Sequence, residues 1–372
     1  MREVLERAPV FDGHNDLAYA LRQLAAPSAT ERYLLEGYDL RRRQSRTHTD
    51  LPRLAEGGVG AQFWSVFVPG DLPPGQALLQ TLEQVDVVRR LVERYPDRLV
   101  LARSADDVRT AFRSGRIASL MGAEGGHSID SSLGVLRIMA ALGVRYMTLT
   151  HNFNVPWADS ATDVEVHGGL DEFGRAVVRE MNRVGMLVDL SHVSAGTMRD
   201  ALDTSSSPVI FSHSSARSVC DHVRNVPDDV LRRLADNGGV CMVTFVPAFV
   251  SDEVRAWEED VKARLRSLGG DVRNWTALQA AAAEYSREHP RPLATVAQVA
   301  DHVEHVRTVA GLAHVGLGGD FDGCDVLPAG LEDVAGYPNL LTELARRGWS
   351  ADDLAALTSG NILRVLDDVP MV

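Results

Sequence analysis

The side chains best suited to chemistry begin near the N-terminus, in the segment from Phe11 to Asp16. In a β-strand, residues two positions apart point to the same face, so His14 and Asp16 would project an imidazole and a carboxylate toward one point. These two groups together are half of a site for a divalent metal ion. A His-x-Asp pair is also common in ordinary strands, so a metal site is predicted only if residues elsewhere complete it.

More histidines and carboxylates follow apolar runs in the rest of the chain. Each follows such a run where a strand would end, and the set comprises Glu124, His127, His151, His192, His213, Asp320 and Asp322. In a barrel of parallel strands, catalytic residues lie at the carboxyl ends of the strands and in the loops that follow. Together with the first segment, six runs therefore deliver such side chains to one rim.

The elements that must position these residues are eight apolar runs that alternate with helical stretches. Helices that end before a glycine and lead into a buried strand are typical of βα repeats, and the pattern predicts a (β/α)8 TIM barrel. The runs are Val10–Asp16, Gly60–Val68, Arg116–Ala123, Val144–His151, Met186–His192, Pro208–His213, Gly239–Phe245 and Ala313–Asp320. Predicted helices include Gln76–Tyr95, Leu133–Leu142 and Glu172–Val184, with others that begin at Ser104 and near Pro227.

The segment 247–310, after the seventh run, is too long for a single crossover connection. It contains Trp257, Trp275 and an Ala-rich helix over Leu278–Tyr285, and we predict an inserted helical subdomain or lid there. Residues 1–372 are otherwise expected to form a single barrel domain.

Composition limits the classes of partner. A formal net charge of −13 disfavours nucleic acid, which needs a basic face. Because there is no apolar run of about 18 residues, no signal-peptide core and no hydrophobic tail, we expect no membrane partner and a cytoplasmic location. Three cysteines without paired spacing are consistent with a reducing compartment. Lys262 is the only lysine, which we interpret as GC-rich coding bias and hence a bacterial source.

The residue set is interpreted as a binuclear metal centre. Two divalent ions about 3.5–4 Å apart need a bridging group, and a carboxylate bridges more readily than an imidazole. Glu124 is the best candidate for the bridge. His14 and Asp16 would complete the site of one ion, and His192 and His213 that of the other. Nitrogen and oxygen donors without a thiolate favour two Zn²⁺, with Co²⁺ or Mn²⁺ as alternatives.

The charge balance predicts what such a centre does. Two ions carry four positive charges against the two negative charges of Asp16 and Glu124, which would acidify a bridging water into hydroxide near neutral pH. Asp320 is placed to take the proton and return it to a leaving amine as general base and acid. Asp322 is the alternative for this role, and Asp320 could instead contact a metal. We favour Asp320 because it ends the apolar run.

Six segments together closely resemble the renal (membrane) dipeptidase family, which consists of binuclear-zinc barrels of the amidohydrolase superfamily. They are Asp12–Asp16, Glu124–Ser128, Asp189–Ser194, Phe211–Ser215, Arg224–Asp228 and Gly318–Gly323. The likeness runs from about residue 10 to about residue 366. It implies hydrolysis of dipeptides, including those with a D-residue at the C-terminal position, and a homodimer.

The same resemblance implies a role for each residue. The residues that match metal ligands are His14, Asp16, Glu124, His192 and His213, and Asp320 matches the proton-transfer residue. His151 matches a histidine that polarises the scissile carbonyl, a task suited to an imidazole N–H. Arg224 matches an arginine that binds the α-carboxylate of the substrate, which a guanidinium can clamp with two parallel hydrogen bonds.

Other interpretations stay open. An amidohydrolase that acts on N-acyl amino acids or lactams would use the same metal centre. A catalytically inactive binding protein would lack one of the ligands, and none is missing from this sequence. His127 could be a further metal ligand, but it is expected to support the ligands or cap the loop. Asp12 either orients a ligand or packs in the core.

Overall fold

The strands form one parallel sheet in the computed structural model, which describes residues 1–25, 32–73 and 75–371. The strands are β1 (Val10–Asn15), β2 (Val59–Ser65), β3 (Leu99–Leu101), β4 (Ile117–Glu124), β5 (Val144–Thr148), β6 (Leu187–Asp189), β7 (Ile210–Phe211), β8 (Val240–Val243) and β9 (Val315–Leu317).

Eight of these strands close into a barrel. Around the barrel they follow the order β1, β2, β4, β5, β6, β7, β8 and β9. The pairing of Asp12 in β1 with Leu317 in β9 completes the circle. The closed parallel barrel confirms the predicted (β/α)8 TIM fold, and its eight strands fall on the eight predicted runs.

The remaining strand, β3, was not predicted. It pairs with the first half of β4, from Leu99 beside Ile117 to Leu101 beside Ser119, while the second half of β4 pairs with β5. β4 can serve both neighbours because it is eight residues long. A three-residue apolar run is too short for its pattern to distinguish a strand from a loop.

Helices surround the barrel and connect its strands. They are α1 (Arg2–Arg7), α2 (Leu17–Gln23), α3 (Leu51–Glu56), α4 (Gln76–Arg94), α5 (Ala105–Arg113), α6 (Leu133–Leu142), α7 (Glu172–Val184), α8 (Ala195–Thr204), α9 (Asp228–Asn237), α10 (Pro247–Val250), α11 (Asp252–Ser267), α12 (Trp275–Tyr285), α13 (Val296–Ala310), α14 (Tyr337–Arg346), α15 (Ala351–Ala355) and α16 (Asn361–Asp368). Short 3₁₀ turns lie at Gly126–Ile129, Leu312–His314 and Val334–Gly336, and a π turn lies at Ala356–Gly360.

The caps explain why the helices begin and end where they do. The Ser104 hydroxyl accepts a hydrogen bond from the Asp107 N–H, and the Asp107 carboxylate accepts one in return from the Ser104 N–H, a complete capping box. Gly143 and Gly185 end α6 and α7 in the left-handed conformation that glycine adopts without strain. The residues at which these helices begin and end are therefore determined by local capping interactions. The buried faces of the helices pack on the strands.

Aromatic side chains fill the barrel below the carboxyl ends of the strands. The ring of Phe11 lies 5.3 Å from that of Phe63, which lies 4.8 Å from that of Tyr146. All three are fully buried. Gly122 makes room for the Tyr146 ring, because a Cβ at this position would lie 1.9 Å from Tyr146 Cζ. The packing leaves the Tyr146 hydroxyl directed at His14, near the end of β1.

The predicted insert 247–310 contains helices α10 to α13. Helices α11 and α12 pack on each other around an apolar cluster of their own, formed by Trp257, Val261, Leu265 and Leu278. We call Asp252–Tyr285 the helical hairpin. Helix α13 instead packs on α9, α14, β8 and β9, within the ring of barrel helices. The role of the hairpin as a lid stays a prediction.

Candidate metal centre and active site

Side chains from the carboxyl ends of six strands converge on one site. They belong to β1, β4, β5, β6, β7 and β9 or to the residues directly after them. Three groups have potential ligand atoms that all lie within 4.8 Å of one another: His14, Glu124 and His213; Glu124, His151 and His192; and His14, Asp16 and Asp320. The structure thus brings together all five predicted metal ligands, with Asp320 and His151 beside them. We call His14, Asp16, Glu124, His192, His213 and Asp320 the ligand cluster.

Glu124 lies between two sets of ligands and turns one oxygen toward each. Its Oε2 lies 3.3 Å from His14 Nε2 and accepts a hydrogen bond from the Ser65 hydroxyl at 3.0 Å. Its Oε1 lies 2.9 Å from His192 Nε2 and 3.4 Å from His213 Nε2. Burial raises the pKa of the Glu124 carboxyl, which the neighbouring imidazole of His14 opposes. A bridging carboxylate requires this arrangement.

The donor set fits divalent cations. His14 Nε2 lies 3.2 Å from Asp16 Oδ2, and the Nε2 atoms of His192 and His213 are 3.0 Å apart. Asp16 Oδ1 is buried and has no hydrogen-bond partner in the described part of the chain. Carboxylates and imidazole lone pairs this close are costly to bury unless a cation lies between them. The site therefore has the chemistry of a metal centre, since these donors suit zinc and similar ions.

Asp320 and Asp322 have different surroundings. Asp320 Oδ1 lies 3.9 Å from His14 Nε2, and burial, with the nearby carboxylates of Asp16 and Glu124, raises the pKa of Asp320 well above its usual range. Asp322 instead accepts a hydrogen bond from the His48 N–H at 2.6 Å, and its own N–H lies 3.0 Å from His48 Nδ1. Asp320 belongs to the ligand cluster, whereas Asp322 anchors the segment around His48.

His151 forms one side of the site. Its Nε2 lies 3.7 Å from Glu124 Oε1, and its ring lies 4.6 Å from that of Phe67 and 4.2 Å from that of His192. Burial lowers the pKa of His151 well below its usual range, and the nearby cationic groups act in the same direction. The imidazole is therefore neutral near pH 7 and can donate a hydrogen bond from only one ring nitrogen.

Arg224 is a buried cation with no hydrogen-bond acceptor for its guanidinium in the described part of the chain. Its side chain is 2% exposed, and its Nε, Nη1 and Nη2 atoms have no hydrogen-bond partner within the described residues. The guanidinium carbon lies 5.3 Å from the centre of the Phe249 ring, and burial lowers the pKa of Arg224 to about 10. An unpaired buried guanidinium is costly, and a ligand carboxylate would satisfy it with two hydrogen bonds.

A cavity of about 440 Å³ connects these groups. The ligand cluster lines one side of it, Arg224 and Phe249 another, and the helical hairpin contributes Trp257 and Lys262. The Arg291 guanidinium lies over the Trp257 ring at 5.4 Å and also lines the cavity. A cavity of this size accommodates a small molecule rather than a long peptide.

The backbone around the ligands is unusual. His192 and Asp320 have positive φ angles of +68° and +60°, in the left-handed region that is costly for residues other than glycine and is found at functional sites. Gly323 packs directly against two carboxylates, because a Cβ there would lie 2.3 Å from Asp320 Oδ1 and 2.5 Å from Asp16 Oδ2. The loop after β9 is thus shaped around the acidic side of the site.

Two residues with open interpretations lie outside the ligand cluster. The His127 Nε2 atom lies 2.9 Å from the Val68 carbonyl oxygen, so this histidine ties two loops together. Asp12 Oδ1 accepts hydrogen bonds from the N–H groups of His14 and Gly319, at 3.2 Å and 2.8 Å. Burial raises the pKa of Asp12 to about 6. Asp12 therefore joins the backbone of β1 to the residues just after β9, and it does not orient an imidazole ring.

Sequence reasoning missed the groups that support the ligands from behind. The hydroxyls of Tyr146 and Ser212 each lie 2.8 Å from the Nδ1 atom of a histidine, His14 and His213 respectively. Ser212 directly precedes His213, a signal that could have been used. Tyr146 is more than a hundred residues from His14 in the chain, and only the closed barrel shows their contact.

The family follows from a comparison of the whole chain with known families. The family model described as membrane dipeptidase (peptidase family M19) matches residues 1–372. The chain belongs to this family. Dipeptidase 3 of Rattus norvegicus is 43% identical over 369 residues, which are 98% of this chain and 66% of the rat protein. The chain thus spans just under two thirds of that relative.

Two solved structures of peptidases share the fold. The dipeptidase AC, a metallopeptidase of family M19, is 25% identical with a TM-score of 0.78, over 97% of this chain and 99% of that one. A metallopeptidase from Rhodobacter sphaeroides, liganded with a phosphinate mimic of the dipeptide L-Ala-D-Ala, is also 25% identical with a TM-score of 0.78, over 98% and 99% of the two chains. Membership of this family of metallopeptidases implies a metal cofactor, for which the ligand cluster supplies the donors.

The predicted cytoplasmic location is wrong, because the chain belongs to the family of the membrane dipeptidases. The prediction rested on the ends of the chain, which carry no information on targeting when the relatives are longer. No helix among residues 1–25, 32–73 and 75–371 is long and apolar enough to cross a membrane. The predicted bacterial source is not supported either, since the curated relatives are from rat and mouse. The predicted homodimer stays a prediction.

Proposed function

We propose that this chain is a metal-dependent dipeptidase that hydrolyses the peptide bond of dipeptides, including L-Xaa-D-Xaa. The observation that carries the proposal is that the two carboxylate oxygens of Glu124 face two different sets of ligands. The same cavity is lined by Arg224, whose guanidinium has no hydrogen-bond partner among the described residues. The family supports the dipeptidase class. The L-Ala-D-Ala mimic bound to the Rhodobacter sphaeroides peptidase supports acceptance of a D-residue.

Two divalent cations, with zinc favoured, would be held in two adjacent positions. His14 and Asp16 with Glu124 Oε2 would hold one, and His192 and His213 with Glu124 Oε1 the other. When bound, such a pair would acidify the attacking water and polarise the scissile carbonyl group. The protein fixes the ligands by placing each at the end of a barrel strand.

Asp320 would move the proton. Its carboxylate would accept a proton from the attacking water as the new C–O bond forms, and would return it to the amine nitrogen as the C–N bond breaks. Burial favours the protonated form of Asp320 and so assists the second transfer. His151, which is neutral, would donate its single N–H to the carbonyl oxygen on which negative charge develops.

Arg224 would bind the α-carboxylate of the substrate. Its guanidinium nitrogens have no hydrogen-bond partner among the described residues, and it lines the same cavity as the ligand cluster. A carboxylate held at a fixed place relative to the cations allows one residue after the scissile bond. This restriction would select dipeptides over longer peptides.

The test combines metal analysis with kinetics. Purified protein loaded with zinc should contain about two ions per chain, and it should hydrolyse L-Xaa-L-Xaa and L-Xaa-D-Xaa dipeptides. The N-acetylated form of each dipeptide, which lacks the free amine, is the matched control and should be a poor substrate. One ion per chain would exclude the bridged centre. Equal turnover of the acetylated compounds would instead favour an amidohydrolase for N-acyl amino acids.

A further inference from the structure

A chain of hydrogen bonds holds His213 from the side opposite the ligand cluster. His213 Nδ1 lies 2.8 Å from Ser212 Oγ, and the Ser212 hydroxyl lies 2.6 Å from Asp189 Oδ2. Asp189, Ser212 and His213 are all buried, with exposures of 0%, 0% and 1%. We call these three residues the Asp–Ser–His chain. The proposed reaction does not use its first two members.

Asp189 is surrounded by donors. Its Oδ1 accepts hydrogen bonds from the N–H groups of Ser191 at 3.1 Å and Ser212 at 2.8 Å. Its Oδ2 accepts from the hydroxyls of Thr148 and Ser212, both at 2.6 Å. An ionised carboxylate has about four acceptor positions and no hydrogen to donate, so four donors match it completely. Asp189 therefore acts as an acceptor in all four hydrogen bonds.

The number of hydrogen atoms then decides the direction of the next hydrogen bond. The Ser212 hydroxyl has a single hydrogen, which it donates to Asp189. Toward His213 it can only accept, so His213 Nδ1 must carry a hydrogen and donate it. A neutral imidazole with the hydrogen on Nδ1 has its lone pair on Nε2. This is the atom that lies 3.4 Å from Glu124 Oε1 and 3.0 Å from His192 Nε2.

The other imidazoles of the cluster lack this control. His192 Nδ1 is buried and has no hydrogen-bond partner among the residues the structure describes. His14 Nδ1 lies 2.8 Å from the hydroxyl of Tyr146, which itself has the Gly13 carbonyl oxygen only at 3.5 Å. Of the three imidazoles at His14, His192 and His213, and within the described residues, His213 alone is connected through its Nδ1 atom to a buried carboxylate whose charge fixes the direction of the hydrogen bonds.

We propose that Asp189 and Ser212 are positioning residues that hold the hydrogen of His213 on Nδ1 and orient its Nε2 lone pair toward the metal centre. The inference rests on the proposed function, since it assigns His213 to one of the two cations. The affinity for that cation depends on both residues, and the affinity for the cation at His14 does not. Substitution of groups that hold a ligand in this way weakens metal binding by about 10- to 100-fold.

The experiment compares three variants of the full chain. Ser212→Ala removes the hydroxyl, Ser212→Thr keeps it, and Thr148→Val removes the other hydroxyl that binds Asp189 Oδ2 without touching His213. For each, the zinc content per chain and the two dissociation constants are measured by competition with a chelator, with thermal unfolding as the check on folding. We expect Ser212→Ala to weaken one of the two sites about 10- to 100-fold. Ser212→Thr and Thr148→Val should keep both affinities.

A second substitution, Asp189→Asn, reverses the direction of the hydrogen bonds. The amide can donate to the Ser212 oxygen, which frees the hydroxyl to donate to His213 Nδ1 and moves the hydrogen of the imidazole to Nε2. We expect a loss of affinity at the same single site at least as large as that of Ser212→Ala. If a folded Ser212→Ala variant bound both ions with unchanged affinity, the inference would be overturned. If the parent chain still bound two ions, the proposed function would stand. A parent chain without bound zinc would overturn both.

Discussion

The ligand cluster and the helical hairpin line one cavity but are held in different ways. The ligand cluster sits on barrel strands that pair on both sides, and its members are buried: His14 is 0% exposed and His213 1%. At the start of the hairpin, Val254 is buried in the main apolar core. Farther along, the hairpin contacts the rest of the described chain through partly exposed polar pairs. The closest of these joins Arg273 to Asp163 at 2.6 Å. Its apolar cluster faces inward, between its own two helices.

The difference agrees with the lid role of the hairpin, which stays a prediction. Hydrolysis requires ligand atoms fixed within a fraction of an ångström, which strand ends provide. Enclosure of a substrate requires a cover that can separate from the barrel at low cost, and an exposed ion pair contributes only about 0–1 kcal/mol. Changes in the ligand cluster should therefore alter metal content and kcat. Changes in the hairpin should alter KM and the rate at which its backbone amide hydrogens exchange with solvent, while the metal content stays the same.

The largest effect is expected from Glu124→Gln. The amide has one oxygen instead of two and carries no charge, so it cannot bridge the two sets of ligands. We expect the zinc content to fall from about two ions per chain to one or none, and kcat/KM to fall by more than the roughly 100-fold typical of groups behind a ligand. Metal analysis and kinetics on one dipeptide measure both.

His127→Asn is the matched control for that substitution. It lies three residues after Glu124, in the turn that follows β4, and contacts the Val68 carbonyl oxygen instead of the ligand cluster. This variant should keep both ions and most of the activity. If it lost metal as Glu124→Gln does, the effect would belong to the loop and not to the bridge.

Asp320→Asn separates proton transfer from metal binding within the ligand cluster. The amide keeps the shape of the carboxylate but cannot accept a proton, so kcat should fall by about 10²- to 10⁴-fold while both ions stay bound. Asp322→Asn is the comparison, because Asp322 accepts a hydrogen bond from the His48 backbone. A loss of kcat confined to Asp322→Asn would move the role to that residue.

Arg224→Met tests a residue of the cavity wall that belongs to neither the ligand cluster nor the hairpin. Hydrogen bonds to charged groups contribute about 1.5–3 kcal/mol, so KM for dipeptides should rise about 10- to 100-fold with little change in metal content. Methionine fills similar space beside Phe249, so the fold should be kept. An unchanged KM would remove Arg224 from substrate binding.

The ligand cluster was predictable because its residues are tied to strand ends. Glu124 and His213 each follow an apolar run, and parallel strands bring such positions to one rim whatever the distance in sequence. The residues that hydrogen-bond to these ligands were harder to predict from the sequence. That the Asp189 carboxylate binds both Ser212 and Thr148 depends on the pairing of β6 with its neighbours, which a single sequence does not show.

For the hairpin, the sequence predicted the helices but not their contacts with the cavity. A helical insert after the seventh run was predicted from the length of the segment and its content, including an Ala-rich helix, and the two helices α11 and α12 are there. Which of their residues reach the cavity depends on how the hairpin lies on the barrel. The stacking of Arg291 on Trp257 joins segments with no shared periodicity, so no pattern in the sequence indicates it.

The smallest effect is expected from Arg273→Met, which removes the contact of the hairpin with Asp163. Since the pair is partly exposed and contributes at most about 1 kcal/mol, backbone amides of the hairpin should exchange with solvent no more than about fivefold faster. KM should rise slightly, with both metals retained. Arg264→Met is the control, because Arg264 pairs with Glu284 inside the hairpin at 3.0 Å. Equal acceleration in both variants would mean that the contact with the barrel does not hold the hairpin, and the contrast with the ligand cluster would then rest on burial alone.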